Sequence, residues 1–226
     1  MRCAALLLTF LVTFCQAVPA GDIVGQITIT KSLTKRRVTV NAYGFRGTAA
    51  VPDRQEARIN ELTRVAVYLE SPSNDAITPI RIALKQRNQQ FDPDILVVPV
   101  GSSVDFPNND PFFHNVFSLS RAHSFDLGYY PQGKSKTVRL DKPGVVQVYC
   151  HLHPNMSAAI VVSPTPWYTQ PDEAGRYVLE GIPAGTAKLV FWHKSAGFFK
   201  RTVGVGENGI VSVDLNMPIE DSEPRQ

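Results

Sequence analysis

The chain has 226 residues, 43% hydrophobic and 19% charged, with a formal net charge of +3 at pH 7. That length and apolar content suffice for one large domain or two small ones, each with its own core. So small a charge excludes the strong positive field of a nucleic-acid-binding surface, and three cysteines are too few for a disulfide-dense scaffold.

The first twenty residues, "MRCAALLLTFLVTFCQAVPA", join one early arginine, an apolar run too short to span a bilayer and a Val-x-Ala ending. This is the pattern of a secretory signal cleaved after Ala20, and it implies the periplasm. Lipidation through Cys15 is disfavoured, because Phe14 stands where a small residue is needed. Cleavage removes Cys3, Cys15 and Arg2, which leaves Cys150 without a disulfide partner. No later stretch is apolar enough for a membrane helix.

From Asp22 onward the sequence reads as strands. "DIVGQITIT", "TRVAVYLE", "DILVVPV", "SSVDFP", "HNVFSLS", "KTVRL", "VVQVYC", "SAAIVV", "GRYVLEG", "TAKLVFW", "RTVGVG" and "GIVSVDL" are rich in β-branched and aromatic residues, often alternate with period two, and are punctuated by Gly, Pro, Asn and Asp. The expected fold class is all-β, of sandwiches or barrels. "KSLTKRR" reads as a solvated hairpin tip, "DRQEARINELT" hints at a helical turn, and residues 219–226, "IEDSEPRQ", read as a disordered tail.

The chemistry gathers in "CHLHPNM", between two expected strands. Alternation along "VVQVYC" places Val146, Val148 and Cys150 on one face, so the cysteine arrives pointing inward. His153 and Met156 complete Cys-x2-His-x2-Met. A thiolate, an imidazole and a thioether form a soft set that favours copper, whereas structural zinc relies on several cysteines and does not recruit methionine. No Cys-x-x-Cys or haem motif is present. A cysteine nucleophile paired with His151 or His153 is conceivable, but no orienting third group is recognisable. For a trigonal copper site, "FPNNDPFFHNVF" offers a further nitrogen in His114.

"FDPDILVVPVGSSVDFPNNDPFFHNVF" with "KPGVVQVYCHLHPNMSAAIVV" resembles the cupredoxins, the blue copper proteins of plastocyanin and amicyanin type, over roughly residues 80 to 163. The short Cys-x2-His-x2-Met loop resembles the amicyanin variant. "HNVFSLS", "FDLGYYPQGKS" and "CHLHPNMSA" resemble periplasmic plastocyanin-like proteins often labelled methylamine utilization proteins. The resemblance implies a Greek-key sandwich holding one copper ion, with His114, Cys150 and His153 as strong ligands and Met156 as the long axial one. It also implies that Asn115 ties the two ligand loops together by hydrogen bonding. An apolar rim of Leu152, Pro154, Pro111 and Phe112 or Phe113 would surround His153, where redox partners dock. His151 departs from the usual small residue and should point the opposite way from Cys150.

Other signals carry less. His123 lies among turn residues and reads as a surface histidine; His193 ends a strand elsewhere and reads as packing. "GVGENG" matches a dinucleotide fingerprint but precedes a strand, so its Asn208-Gly209 pair reads as a hairpin turn. The sequon at Asn155 would put a glycan on the ligand loop and is discounted. One His-x-His pair, His151 and His153, is too few for a multicopper oxidase.

The flanks resemble a carboxypeptidase regulatory-like, transthyretin-like sandwich. "DIVGQITIT" and "TRVAVYLE" match its opening strands, and "DEAGRYVLEGIPAGTAKLVFWHKSAGFFKRTVGVGENGIVSVDL" matches its later ones. Neither piece suffices alone, so residues 22–74 and 164–218 are expected to form one sandwich with the cupredoxin, 75–163, inserted. Domains in series are the alternative. The expected function is a one-electron carrier and not an enzyme; the alternative is copper sensing, delivery or sequestration. With only Met156 and Met217 after the signal, the chain lacks the methionines of many Cu(I) carriers.

Overall fold

The computed structural model describes residues 20–34, 60–70 and 75–218. Residues 1–19 of the expected signal, the basic run from Lys35 onward, residues 53–59 of the expected helical stretch and the tail 219–226 lie outside the described residues. Among the described residues no helix is long and apolar enough to cross a membrane. The fold is all-β.

The amino-terminal segment supplies β1 (Ala20–Ile29) and β2 (Val65–Leu69), the latter preceded by one 3-10 turn, Glu61–Arg64. Asn60 starts that turn by accepting the Leu62 N–H on its side chain at 3.0 Å. The middle of the chain forms β3 (Arg81–Ala83), β4 (Lys85–Arg87), β5 (Gln90–Asp92), β6 (Ile95–Pro99), β7 (Ser102–Pro107), β8 (His114–Leu119), β9 (Ser124–Tyr130), β10 (Ser135–Leu140), β11 (Gly144–Tyr149) and β12 (Ser157–Ser163). Two sheets, β6-β12-β11-β8-β9 and β10-β7-β3, make the Greek-key sandwich, with β4-β5 as a separate hairpin. Period-two alternation drives this packing: Val104 and Phe106 of β7, and Val146 and Val148 of β11, point into the core beside Cys150.

β9 is not legible in the sequence as a strand, because "SFDLGYY" carries turn formers. Gly128 sits at φ 64°, and the β8 register shifts between Asn115 and Phe117. Pairing with β8 overrides the local preference.

The carboxy-terminal segment adds β13 (Tyr168–Thr169), β14 (Arg176–Pro183), β15 (Gly185–His193), β16 (Gly197–Val205), β17 (Ile210–Ser212) and β18 (Leu215–Met217). These strands join the amino-terminal ones. β1 lies between β14 and the β17–β18 segment, and β2 lies between β13 and β15. Leu69 pairs with Leu189 and Val65 with His193. Ile23, Ile27, Val67, Leu179, Leu189, Phe191 and Leu215 are among the residues of this second core. Gly25 is obligatory where β1 meets the break between β17 and β18: a Cβ there would stand 2.0 Å from the Val213 carbonyl oxygen.

The expected hairpin at Asn208-Gly209 is not one. Asn208 does take positive φ, 53°. Its N–H, however, donates to the Ala20 carbonyl, and Asp22 donates to Gly209, so β1 captures the turn and β17 joins the other sheet, parallel to β1.

A third apolar layer joins the two sandwiches. Ala66 and Tyr68 of β2 and Val190 and Trp192 of β15 pack with Ile95 and Val97 of β6 and Ala159 and Val161 of β12. β2 and β6 are consequently buried on both faces. At the rim of this layer Asp94 meets Arg64 at 2.6 Å and Lys194 at 3.2 Å, both cations coming from the other sandwich.

Candidate metal centre

Three of the expected site residues converge at one end of the Greek-key sandwich. Cys150 follows β11, His114 opens β8, and His153 lies in the loop to β12. Cys150 Sγ is 3.7 Å from His114 Nδ1 and 3.7 Å from His153 Nδ1, and all three donor atoms lie within 4.8 Å of one another. Metal bonds of about 2.0 Å to imidazole and 2.3 Å to thiolate, at trigonal angles, separate N and S by about 3.7 Å. The donor set therefore fits one first-row metal ion with little movement.

The loop geometry is set by short-range backbone bonds. The Met156 N–H donates to the His153 carbonyl at 2.9 Å, and the Cys150 N–H donates to the Met156 carbonyl at 3.3 Å. Met156 is thereby folded back beneath the loop, its side chain buried in the same cluster as Cys150. His114 and Cys150 are buried, and His153 is partly exposed.

Asp110, which the sequence does not single out, prepares His114. Its Oδ2 lies 2.8 Å from His114 Nε2, and its two oxygens accept the Asn88 and Gln89 N–H groups at 2.6 and 2.9 Å. Burial pushes the Asp110 carboxyl up, but the bonds from Gln89, His114 and Asn88 outweigh it and hold its pKa below the usual range. An ionised carboxylate only accepts, so His114 Nε2 donates to Asp110 and Nδ1 is the ring atom turned toward Cys150. The only sequence signal is an acid four residues before a histidine.

Burial and the neighbouring His114 lower the pKa of His153 from its ordinary value, keeping the imidazole neutral and able to coordinate. The Phe112 ring packs 5.2 Å from His114 and 5.5 Å from His153. Around His153, Phe113 and Leu152 are 54% and 47% exposed, and Phe112, Pro111 and Pro154 are exposed as well.

Asn115 is buried and bridges the two loops. Its Oδ1 accepts the His151 N–H at 3.3 Å, while Nδ2 donates to Asp126 at 2.6 Å. The His151 ring turns outward and stacks on Phe117, centroids 3.8 Å apart. His123 lies elsewhere, bonded to the backbone of Lys142. His193 is fully buried in the other sandwich, where its Nδ1 accepts the Ser195 and Ala196 N–H groups and Nε2 lies 3.2 Å from Glu61.

No family model matches the chain, and no curated protein does. Among solved structures the chain is similar to a purple cupredoxin from Nitrosopumilus maritimus, 24% identical over 37% of this chain and 99% of that one, TM-score 0.33. It is similar to a copper-containing nitrite reductase from Thermus scotoductus, 24% identical over 41% of this chain and 24% of that one, TM-score 0.36. An amicyanin variant in the Cu(I) form is 18% identical over 42% of this chain and 97% of that one, TM-score 0.34. All three are copper proteins by name, and each matches less than half of this chain.

Proposed function

We propose that this protein is a periplasmic one-electron carrier with a single type 1 copper ion. His114 Nδ1, Cys150 Sγ and His153 Nδ1 would hold the ion, and Met156 would add a weaker thioether donor. The observation that carries the reading is the pair of 3.7 Å sulfur–nitrogen separations, with the His114 tautomer set by Asp110. Copper, when bound, supplies the Cu(I)/Cu(II) couple. The chain's own residues supply a fixed donor set, a buried thiolate and, through His153, a partly exposed edge ringed by Phe112, Phe113 and Leu152 where redox partners dock. No enzymatic role is assigned.

The architecture that accompanies this reading is an inserted one. Residues 22–74 and 164–218 are proposed as one transthyretin-like sandwich, supported by the pairing of β2 with β15 and of β1 with β14. The test of function is the visible spectrum of copper-loaded protein. An intense thiolate-to-copper band should bleach with ascorbate and be absent in Cys150→Ser. A wild type that takes zinc in preference and forms no coloured copper species ends the proposal.

A further inference from the structure

Lys194 follows β15 and belongs to the sandwich that carries no candidate ligand, yet its ammonium reaches the other one. Nζ lies 3.2 Å from Asp94 Oδ2 and donates to the carbonyls of Asp94 at 3.3 Å and Ser157 at 3.0 Å. The side chain is only 13% exposed, so its field is less screened than that of a surface lysine. Ser157 is the residue after Met156, and across the ladder it pairs with Tyr149, the residue before Cys150. One peptide link thus separates the gripped residue from Met156. One strand pairing leads from it to the residue bonded to Cys150. Arg64 holds the same Asp94 from the same side at 2.6 Å, which leaves two cations sharing one carboxylate at the base of the ligand loop.

We propose that Lys194 is a positioning residue for the metal centre, contributed by the flanking sandwich, and that it sets the reduction potential. The inference rests on the copper reading above. Its geometric part is the Nζ–carbonyl bond, which pins the start of β12 and with it the backbone of Met156. Its electrostatic part is the ammonium charge, which favours the metal state of lower charge, so that Cu(II) taking one electron from a redox partner to become Cu(I) is eased. The flanking sandwich is then part of the redox device.

The experiment uses the full chain loaded with copper, in wild type, Lys194→Met, Lys194→Arg, Asp94→Asn and Lys200→Met. Lys200 serves as the charge control, since it belongs to the same sandwich and pairs with Glu70 in solvent. Lys194→Met should lower the potential in voltammetry and change the copper hyperfine splitting in electron paramagnetic resonance. Lys194→Arg should restore most of the potential, and Lys200→Met should match wild type. Asp94→Asn removes an anion while leaving both cations, and should raise the potential. A blue Lys194→Met protein with wild-type potential and splitting, or a shift no larger than that of Lys200→Met, overturns the proposal. Should Lys194→Met fail to fold, Asp94→Asn decides: a rise supports the inference and an unchanged potential refutes it. A wild type without a blue band would sink the copper reading instead, a result distinguishable from either.

Discussion

Asp110, in the loop before β8, and His114, which opens that strand, meet through an Oδ2–Nε2 contact of 2.8 Å, both side chains buried, and the same carboxylate holds the turn between β4 and β5. The first candidate ligand is therefore braced by a hairpin from another part of the sandwich. Asp110→Ala should free the imidazole to change tautomer or rotate. Copper affinity, measured by competition with a chelator, should fall by about 10–100-fold, the usual cost of losing such a partner. Unchanged affinity would show that Asp110 serves only the turn.

The exposed rim offers a separate test. Leu152→Lys places a charge beside His153 without touching a donor atom. Electron exchange with a redox partner should slow by about tenfold, equivalent to about 1.4 kcal/mol of docking energy, while the absorption spectrum stays unchanged. Equal exchange rates would remove this rim from the docking surface.

Acid should loosen the loop after β1. Glu61 Oε1 accepts from Ser32 Oγ and from the N–H groups of Leu33 and Thr34, and Oε2 accepts from Thr34 Oγ1. Burial raises the Glu61 pKa, but these bonds, with the neighbouring His193, bring it below its ordinary 4.5. A lowered acid pKa contributes stability that is fully present above 4.5 and is lost as pH falls through the folded-state value. Glu61→Gln should cost about 1–3 kcal/mol in denaturant unfolding at about pH 7, and its deficit against wild type should shrink as pH drops below about 4.5. A deficit that stayed constant down to about pH 3 would show that the carboxylate charge is irrelevant.

The layer between the sandwiches should couple their unfolding. Trp192→Ala, within that layer, should destabilise by about 3–5 kcal/mol and lower both the copper-band midpoint and the tryptophan-emission midpoint, the latter now reported by Trp167. A lowered emission midpoint with an unmoved copper-band midpoint would mean that the sandwiches unfold independently.

What could be read beforehand depended on how local each feature was. The strand β11 announced its inward face because Val146, Val148 and Cys150 alternate within a few residues, and Cys150, His153 and Met156 stood out because they lie on one short loop. His114, 36 positions from Cys150, is a candidate nitrogen from its residue type alone, and the family pattern is what ties it to them. Asp110 stayed silent, since its meaning depends on Asn88 and Gln89, whose backbone N–H groups carry no sequence signal. One face of β2 is covered by β6 and β12, a partnership set by tertiary packing alone. The link from Lys194 to Ser157 was hidden for the same reason.

The distant pairing of β1 and β2 bears on the order in which the molecule assembles. Asp22 accepts the Gly181 N–H across 159 residues, whereas residues 81–163 hold every strand of the Greek-key sandwich in one continuous stretch. Loop closure over so long a span is entropically slow. Among the described residues β1 and β2 find strand partners only from β13 onward, so their pairing waits for the carboxy-terminal segment. By then the middle of the chain can already have collapsed and presented the apolar face of β6 and β12 as a template. Both tryptophans, Trp167 and Trp192, lie in the late-arriving segment. In refolding, their emission should trail copper binding, so the two signals time the closing of the two halves separately.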